Sequence, residues 1–267
     1  MIWGKVLGAL FGFAIFNIPG ALLGLWLGHR FDRGMQFNNF GYARDPEQVK
    51  VSFFASAFRV MGHIAKADGR VSENEINNAN AVMAHMGLTE ERRKQAIQHF
   101  NEGKQSSFNL DACLNEFSQQ VGNEPSLIQM FLEIQIGSAF ADGHLGQAER
   151  SILVRIATQL GISQMRLNLI INSVQAQHRF YQQQQQYNTN TQSSRVSLDD
   201  AYQLLCVNAD ASDSEVKRAY RKMMAQHHPD KLAAKGLPDD MIEVAKEKTQ
   251  EIQSAWDLIK NERGIRK

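Results

Sequence analysis

The chain begins with a long apolar run and continues with segments of helical periodicity. The run from Val6 to Leu27 reads VLGALFGFAIFNIPGALLGLWL and carries no charged side chain. A helix of this length crosses about 30 Å of hydrocarbon. A cleaved secretory signal has a shorter apolar core, of about 7–15 residues, followed by a small-residue cleavage site, and neither feature precedes His29 and Arg30. The pattern therefore predicts a transmembrane anchor over residues 1–30.

Charged residues on either side of this run predict its orientation. Lys5 and the amino terminus precede the run, whereas Arg30, Arg33, Arg44 and Lys50 follow it. Cytoplasmic segments next to a membrane span are enriched in Lys and Arg. We therefore expect a single pass with a short periplasmic amino terminus and cytoplasmic C-terminal domains.

Glycines recur at every fourth position in each half of the run. This spacing lets two helices pack closely, and it predicts a homodimer formed through the membrane helix. Asn17 can add an interhelical hydrogen bond, and Pro19 would kink the helix or divide it into two packing halves. A re-entrant hairpin that turns at Pro19 and Gly20 is the alternative, although each arm would be too short to span. The glycines of the two faces are Gly4, Gly8, Gly12, Gly20, Gly24 and Gly28.

The middle of the chain contains an internal repeat. Residues 31–45 form a polar connector, and residues 46–180 have helical periodicity with almost no strand signal. ADGRVSENEINNANAVMAHMGLTEERRKQAI from Ala67 aligns without a gap to ADGHLGQAERSILVRIATQLGISQMRLNLII from Ala141. Ser72 and Glu75 have the spacing of a capping box. Glycines suited to turns and helix ends, and hydroxyl caps for the next helices, occupy matching positions: Gly69 and Gly143, Gly87 and Gly161, Thr89 and Ser163.

The acidic turns of the repeat suggest a metal-binding hypothesis. A calcium loop that starts at Asp68 would have Arg70 at its third position and Ala79 in place of the bidentate glutamate, and the second copy has Leu153 at that last position. Neither loop is an EF-hand, and turn and cap roles explain these residues. A different site shared by Asp68, Asp142 and nearby glutamates is the alternative. The histidines without paired ligand spacing are His63, His85 and His99. We expect no metal and no cofactor.

A glutamine-rich segment separates this region from the end of the chain. Residues 181–195 include YQQQQQYNTNTQSS, which cannot bury a core, and they are predicted to form a flexible linker. About 14 residues of flexible chain span roughly 20 Å, which would let the last domain move around the helical region.

Residues 196–267 predict two antiparallel helices. Ser212 and Glu215 form a capping box ahead of the first, and the second runs from about Pro238 to Asn261. His228, Pro229 and Asp230 occupy the connection. The apolar stripes are Val216, Ala219, Tyr220, Met223 and His227 on one helix and Ile242, Ala245, Ile252, Ala255, Trp256 and Ile259 on the other. The opposing side of the first carries four cations, Lys217, Arg218, Arg221 and Lys222; such a cluster alone is usually a solvated helix face.

Composition excludes several classes of function. Lys and Arg total 29 and Asp and Glu total 28, so a net charge of +1 argues against a nucleic-acid binder that relies on overall charge. Two widely separated cysteines, Cys113 and Cys206, cannot form a disulfide scaffold, and they indicate a reducing compartment. A clustered nucleophile and base and a phosphate-binding glycine loop are both missing from the sequence, so an enzyme is not expected.

The last seventy residues resemble a J domain. The resemblance rests on His228, Pro229 and Asp230, on AYRKM around Tyr220 and on QEIQSAWDLI further along. It implies that these three residues stimulate ATP hydrolysis by a DnaK-type chaperone, and that Lys217, Arg218, Arg221 and Lys222 dock on an acidic surface of that partner. Two positions depart from the family pattern: Cys206 replaces a glycine after the first helix, and Gln226 stands where many members have a basic residue.

The repeat-containing region resembles TerB-like domains, which are all-helical bundles. The order of anchor, bundle, linker and terminal J domain is similar to that of the membrane-anchored DnaJ-like co-chaperones of Gram-negative bacteria. This resemblance implies an all-α, inner-membrane, regulatory co-chaperone linked to envelope or capsule signalling and stress. The alternative is a membrane-tethered adaptor or metal- or ligand-sensing bundle with an accessory J domain.

Overall fold

The computed structural model describes residues 45–69, 73–140, 144–186 and 194–265, and these residues contain helices and no strand. The predicted all-α class is thereby confirmed. The helices are α1 (Pro46–Ala65), α2 (Glu73–His85), α3 (Glu90–Gly103), α4 (Leu110–Val121), α5 (Pro125–Ala139), α6 (Gln147–Gln159), α7 (Gln164–Gln186), α8 (Ser194–Leu204), α9 (Asp213–His227), α10 (Pro229–Ala234) and α11 (Ile242–Arg263), with a 3₁₀ turn at Asp239–Met241.

Helix α1 is the centre of the bundle. Its residues from Phe53 to Phe58 are all buried, so every side of the helix is covered. It packs against α3, α4, α5 and α6. Phe53 lies against Phe117 and Phe131, with ring centroids 5.7 and 5.8 Å apart. Because a buried phenylalanine contributes roughly 1.5–3 kcal/mol, this aromatic cluster supplies much of the bundle's stability.

Two glycines allow α1 and α3 to cross closely. A Cβ atom added to Gly62 would lie 2.1 Å from the Phe100 carbonyl oxygen, and one added to Gly103 would lie 1.8 Å from the Arg59 carbonyl oxygen. The Arg59 guanidinium reaches across the crossing to the Glu102 carboxylate, with Nε and Oε2 2.8 Å apart. Backbone contact of this kind requires glycine on both helices.

Most predicted turns and caps within the described residues are confirmed. Gly69, Gly87 and Gly161 have positive φ angles of 93°, 63° and 73°. The side chains of Thr89 and Ser163 accept hydrogen bonds from the first turns of α3 and α7. Ser72 and Gly143 lie outside the described residues.

Helices α9 and α11 form the predicted hairpin, and α8 completes its core. Helices α9 and α11 pack together, and α8 packs against α11. Their shared core includes Tyr202, Val216, Ile252 and Trp256. The ring of Tyr220 stacks on Trp256 with centroids 5.0 Å apart. The sequence did not predict the short helix α10 or the 3₁₀ turn that follows it.

The predicted linker is shorter than its composition suggested. Helix α7 continues to Gln186 and α8 begins at Ser194, so residues at both ends of the predicted 181–195 segment are helical. Glutamine has good helix propensity, which lets an existing helix extend through the QQQQQ run. Residues 187–193, like the predicted anchor and connector at 1–30 and 31–45, lie outside the described residues.

The hairpin packs against the bundle. Leu232, Leu237, Met241 and Ala245 are buried in the same core cluster as the central residues of α1 and α5. Linker composition predicted a last domain that moves freely. In the structure, by contrast, the bundle covers apolar residues near the tip of the hairpin. Among the described residues, the buried core runs from Val49 to Ile259, and Pro46–Lys267 forms one compact unit.

None of the helices formed by the described residues is long and apolar enough to cross a membrane. The predicted span at residues 1–30 is not among them.

Candidate functional site

Helix α9 begins with a reciprocal cap. The Ser212 backbone N–H donates to the Glu215 carboxylate at 2.9 Å, and the Glu215 N–H donates to the Ser212 hydroxyl at 3.4 Å. This confirms the capping box predicted from the sequence. Val216, Met223 and His227 are buried along the inner side of the helix. The amphipathic pattern thus fixes which side of α9 faces solvent.

The outer side of α9 carries the predicted cations. Arg218, Arg221 and Lys222 are exposed and Lys217 is partly buried. Residues at these spacings lie on neighbouring positions of one helical surface. In the described part of the chain none of the four forms an ion pair within 4 Å. We call this surface the basic face (Lys217, Arg218, Arg221 and Lys222); its charge is available to an acidic partner.

The connection after α9 is a tight turn between two helices. His228 is extended, with φ −58° and ψ 123°, and Pro229 is the first residue of α10. Proline suits that position because its missing N–H would have no intrahelical partner. The side chains of His228 and Asp230 are exposed. We call these residues the His-Pro-Asp turn (His228, Pro229 and Asp230). It lies at the end of the helix that bears the basic face.

A buried ionic cluster lies beside this turn. Glu133 of α5 is 8% exposed, and both its carboxylate oxygens lie 2.9 Å from Nε2 of His227. Its Oε2 lies 3.8 Å from Nζ of Lys248, and Oε1 accepts a 2.8 Å hydrogen bond from Gln129. Burial raises the pKa of Glu133, but the charges of His227 and Lys248 outweigh burial and hold it well below its ordinary value. We call this the Glu133 cluster (Glu133, His227, Lys248 and Gln129).

Sequence reasoning missed the Glu133 cluster. It placed His227 on an apolar stripe, and the residue is indeed buried there, at 1% exposure. Glu133 lies in the apolar sequence of α5. A single charged residue in such a sequence was the signal that could have indicated a buried ion pair. The contact joins Glu133 to His227, which lies 94 positions further along the chain, so a local sequence pattern could not pair these two residues.

A cavity of about 490 Å³ separates part of the hairpin from the bundle. Glu251 lines it, and Oε2 of this carboxyl is buried with no hydrogen-bond partner among the described residues. Burial raises the pKa of Glu251 to about 7, against a smaller opposing effect of Lys248. The apolar part of the lining comes from Val82, Met86, Met130, Ile134, Val174 and Val244.

The raised pKa of Glu251 predicts a pH-dependent stability. Between the ordinary value of 4.5 and about 7 the folded state keeps a proton that the unfolded state loses. The stabilisation is therefore present below pH 4.5 and lost as the pH rises through 7. We expect Glu251→Gln to raise the free energy of unfolding at pH 8, relative to its effect at pH 4.5, by roughly 3 kcal/mol.

Urea denaturation of residues 45–267 at both pH values checks this prediction. Glu262→Gln, at an exposed position of the same helix, is the matched control. A Glu251→Gln effect that is the same at both pH values would show that the carboxyl is not protonated selectively in the folded state.

The two departures from the family pattern are Cys206 and Gln226. Cys206 has a φ of 55°, the left-handed conformation in which glycine is favoured, so the glycine-to-cysteine difference costs about 1 kcal/mol of backbone strain. Burial raises the pKa of its thiol, which makes it a poor nucleophile. Gln226 is partly buried and its Oε1 has no partner among the described residues.

The metal hypothesis gains no support from the described residues, which contain no group of three His, Cys, Asp or Glu side chains placed to hold an ion. Asp68 is exposed next to its turn, and Asp142 is outside the described residues.

Comparison with known families defines the class. Residues 200–267 match the DnaJ domain, residues 55–171 match tellurite resistance protein TerB, and residues 1–44 match the co-chaperone DjlA transmembrane domain. The same residues that match the DnaJ domain form the helical hairpin with its exposed His-Pro-Asp turn. The chain is therefore a J-domain protein. The predicted resemblances to J domains and TerB-like domains are confirmed.

Full-length relatives define the family more narrowly. Co-chaperone protein DjlA of Photobacterium profundum is 47% identical, over 99% of this chain and 100% of the relative. The DjlA proteins of Vibrio cholerae and Coxiella burnetii are 45% and 43% identical, each over 99% of this chain and at least 99% of the relative. The chain belongs to the DjlA family of co-chaperones. No solved structure matches it.

Proposed function

We propose that the protein is a membrane-anchored regulatory co-chaperone whose J domain stimulates ATP hydrolysis by a DnaK-type chaperone. The observation that carries this proposal is the exposed His-Pro-Asp turn at the end of a helix whose basic face has no ion-pair partner in the described part of the chain. The co-chaperone names of the full-length relatives support it.

The basic face and the His-Pro-Asp turn have different roles, which follow from the charge of the first and the stiffness of the second. The basic face steers association with an acidic surface and sets orientation. Pro229 limits the turn to few conformations, and the Asp230 carboxylate accepts charge-assisted hydrogen bonds from the partner. The ATPase site belongs to the chaperone, and the J domain acts on it as a regulator.

The amino-terminal segment supplies the membrane part of the proposal. Residues 1–44 match a DjlA transmembrane domain. We propose one span within residues 1–30 in the bacterial inner membrane, with the amino terminus in the periplasm, because Lys and Arg follow the apolar run. The J domain would then meet its chaperone in the cytoplasm.

Self-association through the span is a further part of the proposal. Replacing Gly8, Gly12, Gly20 and Gly24 by leucine should weaken dimerisation about tenfold, because leucine at the small-residue positions keeps the two backbones apart. Förster transfer between labelled full-length chains in detergent measures this. The control variant replaces Ala9, Ala14 and Ala21 by leucine and Leu23 by alanine. All four positions lie off the glycine spacing. Unchanged transfer in the glycine variant would contradict packing through the glycine faces.

The ATPase assay tests the proposed function. Residues 45–267, added to a purified DnaK-type chaperone, should increase steady-state phosphate release. A folded fragment that binds the chaperone without raising the rate would favour a membrane-tethered adaptor instead.

A further inference from the structure

The tip of the hairpin is held by the bundle. We define the hairpin tip as residues 228–241, from the His-Pro-Asp turn to the end of the 3₁₀ turn. Leu232, Leu237 and Met241 are each 0% exposed, and they belong to the bundle core rather than to the core of the three long hairpin helices. The exposed turn therefore lies above a buried segment that the bundle covers.

Contact with α1 is close at Gly236. This residue has a φ of 98°, and a Cβ atom added to it would lie 2.7 Å from Cγ1 of Val49. Ion pairs surround the contact: Lys235 with Glu124 at 3.0 Å, and Arg92 with Asp240 at 2.7 Å. The bundle thus contacts the tip through apolar packing at its centre and charge pairs at its edge.

Glu133 connects both arms of the hairpin. Its carboxylate contacts His227 at the end of α9 and Lys248 on α11. The other ring nitrogen of His227, Nδ1, lies 2.9 Å from the Met223 carbonyl oxygen, so the ring satisfies both acceptors when both nitrogens carry a proton. Lys248 also donates to the Gln177 side chain. One buried carboxylate of the bundle therefore fixes the residue directly before His228.

We propose that Glu133 is a positioning residue for ATPase stimulation. By holding His227 and Lys248, it fixes the orientation in which the His-Pro-Asp turn meets the chaperone. The bundle then contributes to the co-chaperone activity itself, in addition to any partner it binds. This inference rests on the proposed function, since it concerns the same surface.

Loss of the Glu133 contact should lower the maximal stimulated ATPase rate and leave the affinity for the chaperone nearly unchanged, because the two depend on different sides of α9. The basic face lies on the outer side of α9, away from the buried side that carries His227. Loss of the Glu133 contact leaves these cations in place, so encounter with an acidic partner is preserved. Loss of a fixed turn misplaces the groups that act on the chaperone, and misplacement lowers the maximal rate.

Glu133→Gln in the full-length chain in detergent micelles tests the proposal. We expect the maximal stimulated ATPase rate of a DnaK-type chaperone to fall about fivefold, and the half-saturating concentration to change less than about twofold. Glu116→Gln is the matched control, since it removes an exposed carboxylate of the bundle helix α4. Its maximal rate should stay close to that of the wild type. Glu133→Asp, which keeps the charge, should recover part of the lost rate.

Hydrogen exchange reports whether the tip is released. In Glu133→Gln we expect amide protection across residues 228–241 to fall about tenfold, while protection in α9 from Val216 to Met223 is kept. A released tip with an unchanged maximal rate would overturn the proposal. So would a raised half-saturating concentration at an unchanged maximal rate. If the wild-type chain itself gives no stimulation, the proposed function fails, and the exchange result alone shows whether Glu133 holds the tip.

A second variant decides the matter if Glu133→Gln does not fold. Gly236→Ala forces the tip away from Val49, whereas Gly264→Ala introduces a side chain at another positive-φ glycine with open space around it. We expect Gly236→Ala to lower the maximal rate about fivefold and Gly264→Ala to leave it within about twofold. Equal rates for the two variants would contradict positioning by the bundle.

Discussion

His228→Gln should remove most of the stimulated ATP hydrolysis while leaving the protein folded. His228 is exposed and forms no ion pair in the described part of the chain, so its replacement costs the fold little. Removal of a central contact to a partner typically costs about 2 kcal/mol or more, which corresponds to about a 30-fold loss of the maximal rate. Phosphate release over a concentration series of residues 45–267 measures the change.

The concentration series also separates rate from docking. Because the basic face is unchanged in His228→Gln, the half-saturating concentration should remain close to that of the wild type. His144→Gln, at an exposed position of the bundle, is the control for the substitution itself. Full stimulation by His228→Gln would rule out the mechanism assigned to the His-Pro-Asp turn.

Arg221→Ala combined with Lys222→Ala should weaken docking, mainly through the association rate. Both side chains are exposed on α9 and neither pairs with a carboxylate of the described residues. Loss of two steering charges should slow association about tenfold at low salt, because complementary charge accelerates encounter. The difference from wild type should shrink as salt rises, since the Debye length falls to about 8 Å at physiological ionic strength. Stopped-flow binding to a DnaK-type chaperone at several salt concentrations measures both effects.

A charge-matched variant distinguishes steering from net charge. Lys94→Ala combined with Lys246→Ala removes two exposed cations from α3 and α11. This variant should associate at a rate within about twofold of the wild type. An equal loss in both variants, or a salt-independent loss in the α9 variant, would argue against the basic face as the contact.

Local structure was the part of the fold that sequence could predict. The Ser212 and Glu215 cap, the Thr89 and Ser163 caps and the positive-φ glycines each depend on neighbours within a few residues. The inward stripe of α9 followed from helical periodicity in the same way. The exposed position of the His-Pro-Asp turn agrees with the resemblance from which its role was inferred.

Tertiary contacts between distant residues were not predictable from pattern. The glycine crossing of α1 and α3 joins Gly62 to Phe100 and Gly103 to Arg59. The Glu133 cluster joins α5 to both arms of the hairpin. Linker composition favoured a mobile last domain, but composition carries no information about the apolar surface that Leu232 and Met241 bury. The domain arrangement is decided by that surface.

Single-turnover ATP hydrolysis tests the proposed co-chaperone activity most directly. A DnaK-type chaperone loaded with labelled ATP is mixed with residues 45–267, without substrate or another co-chaperone, and the decay of bound ATP is followed. We expect a decay at least about tenfold faster with the wild-type fragment, and a decay close to that of the chaperone alone with His228→Gln. An unchanged decay in the presence of a folded wild-type fragment would contradict the proposed activity.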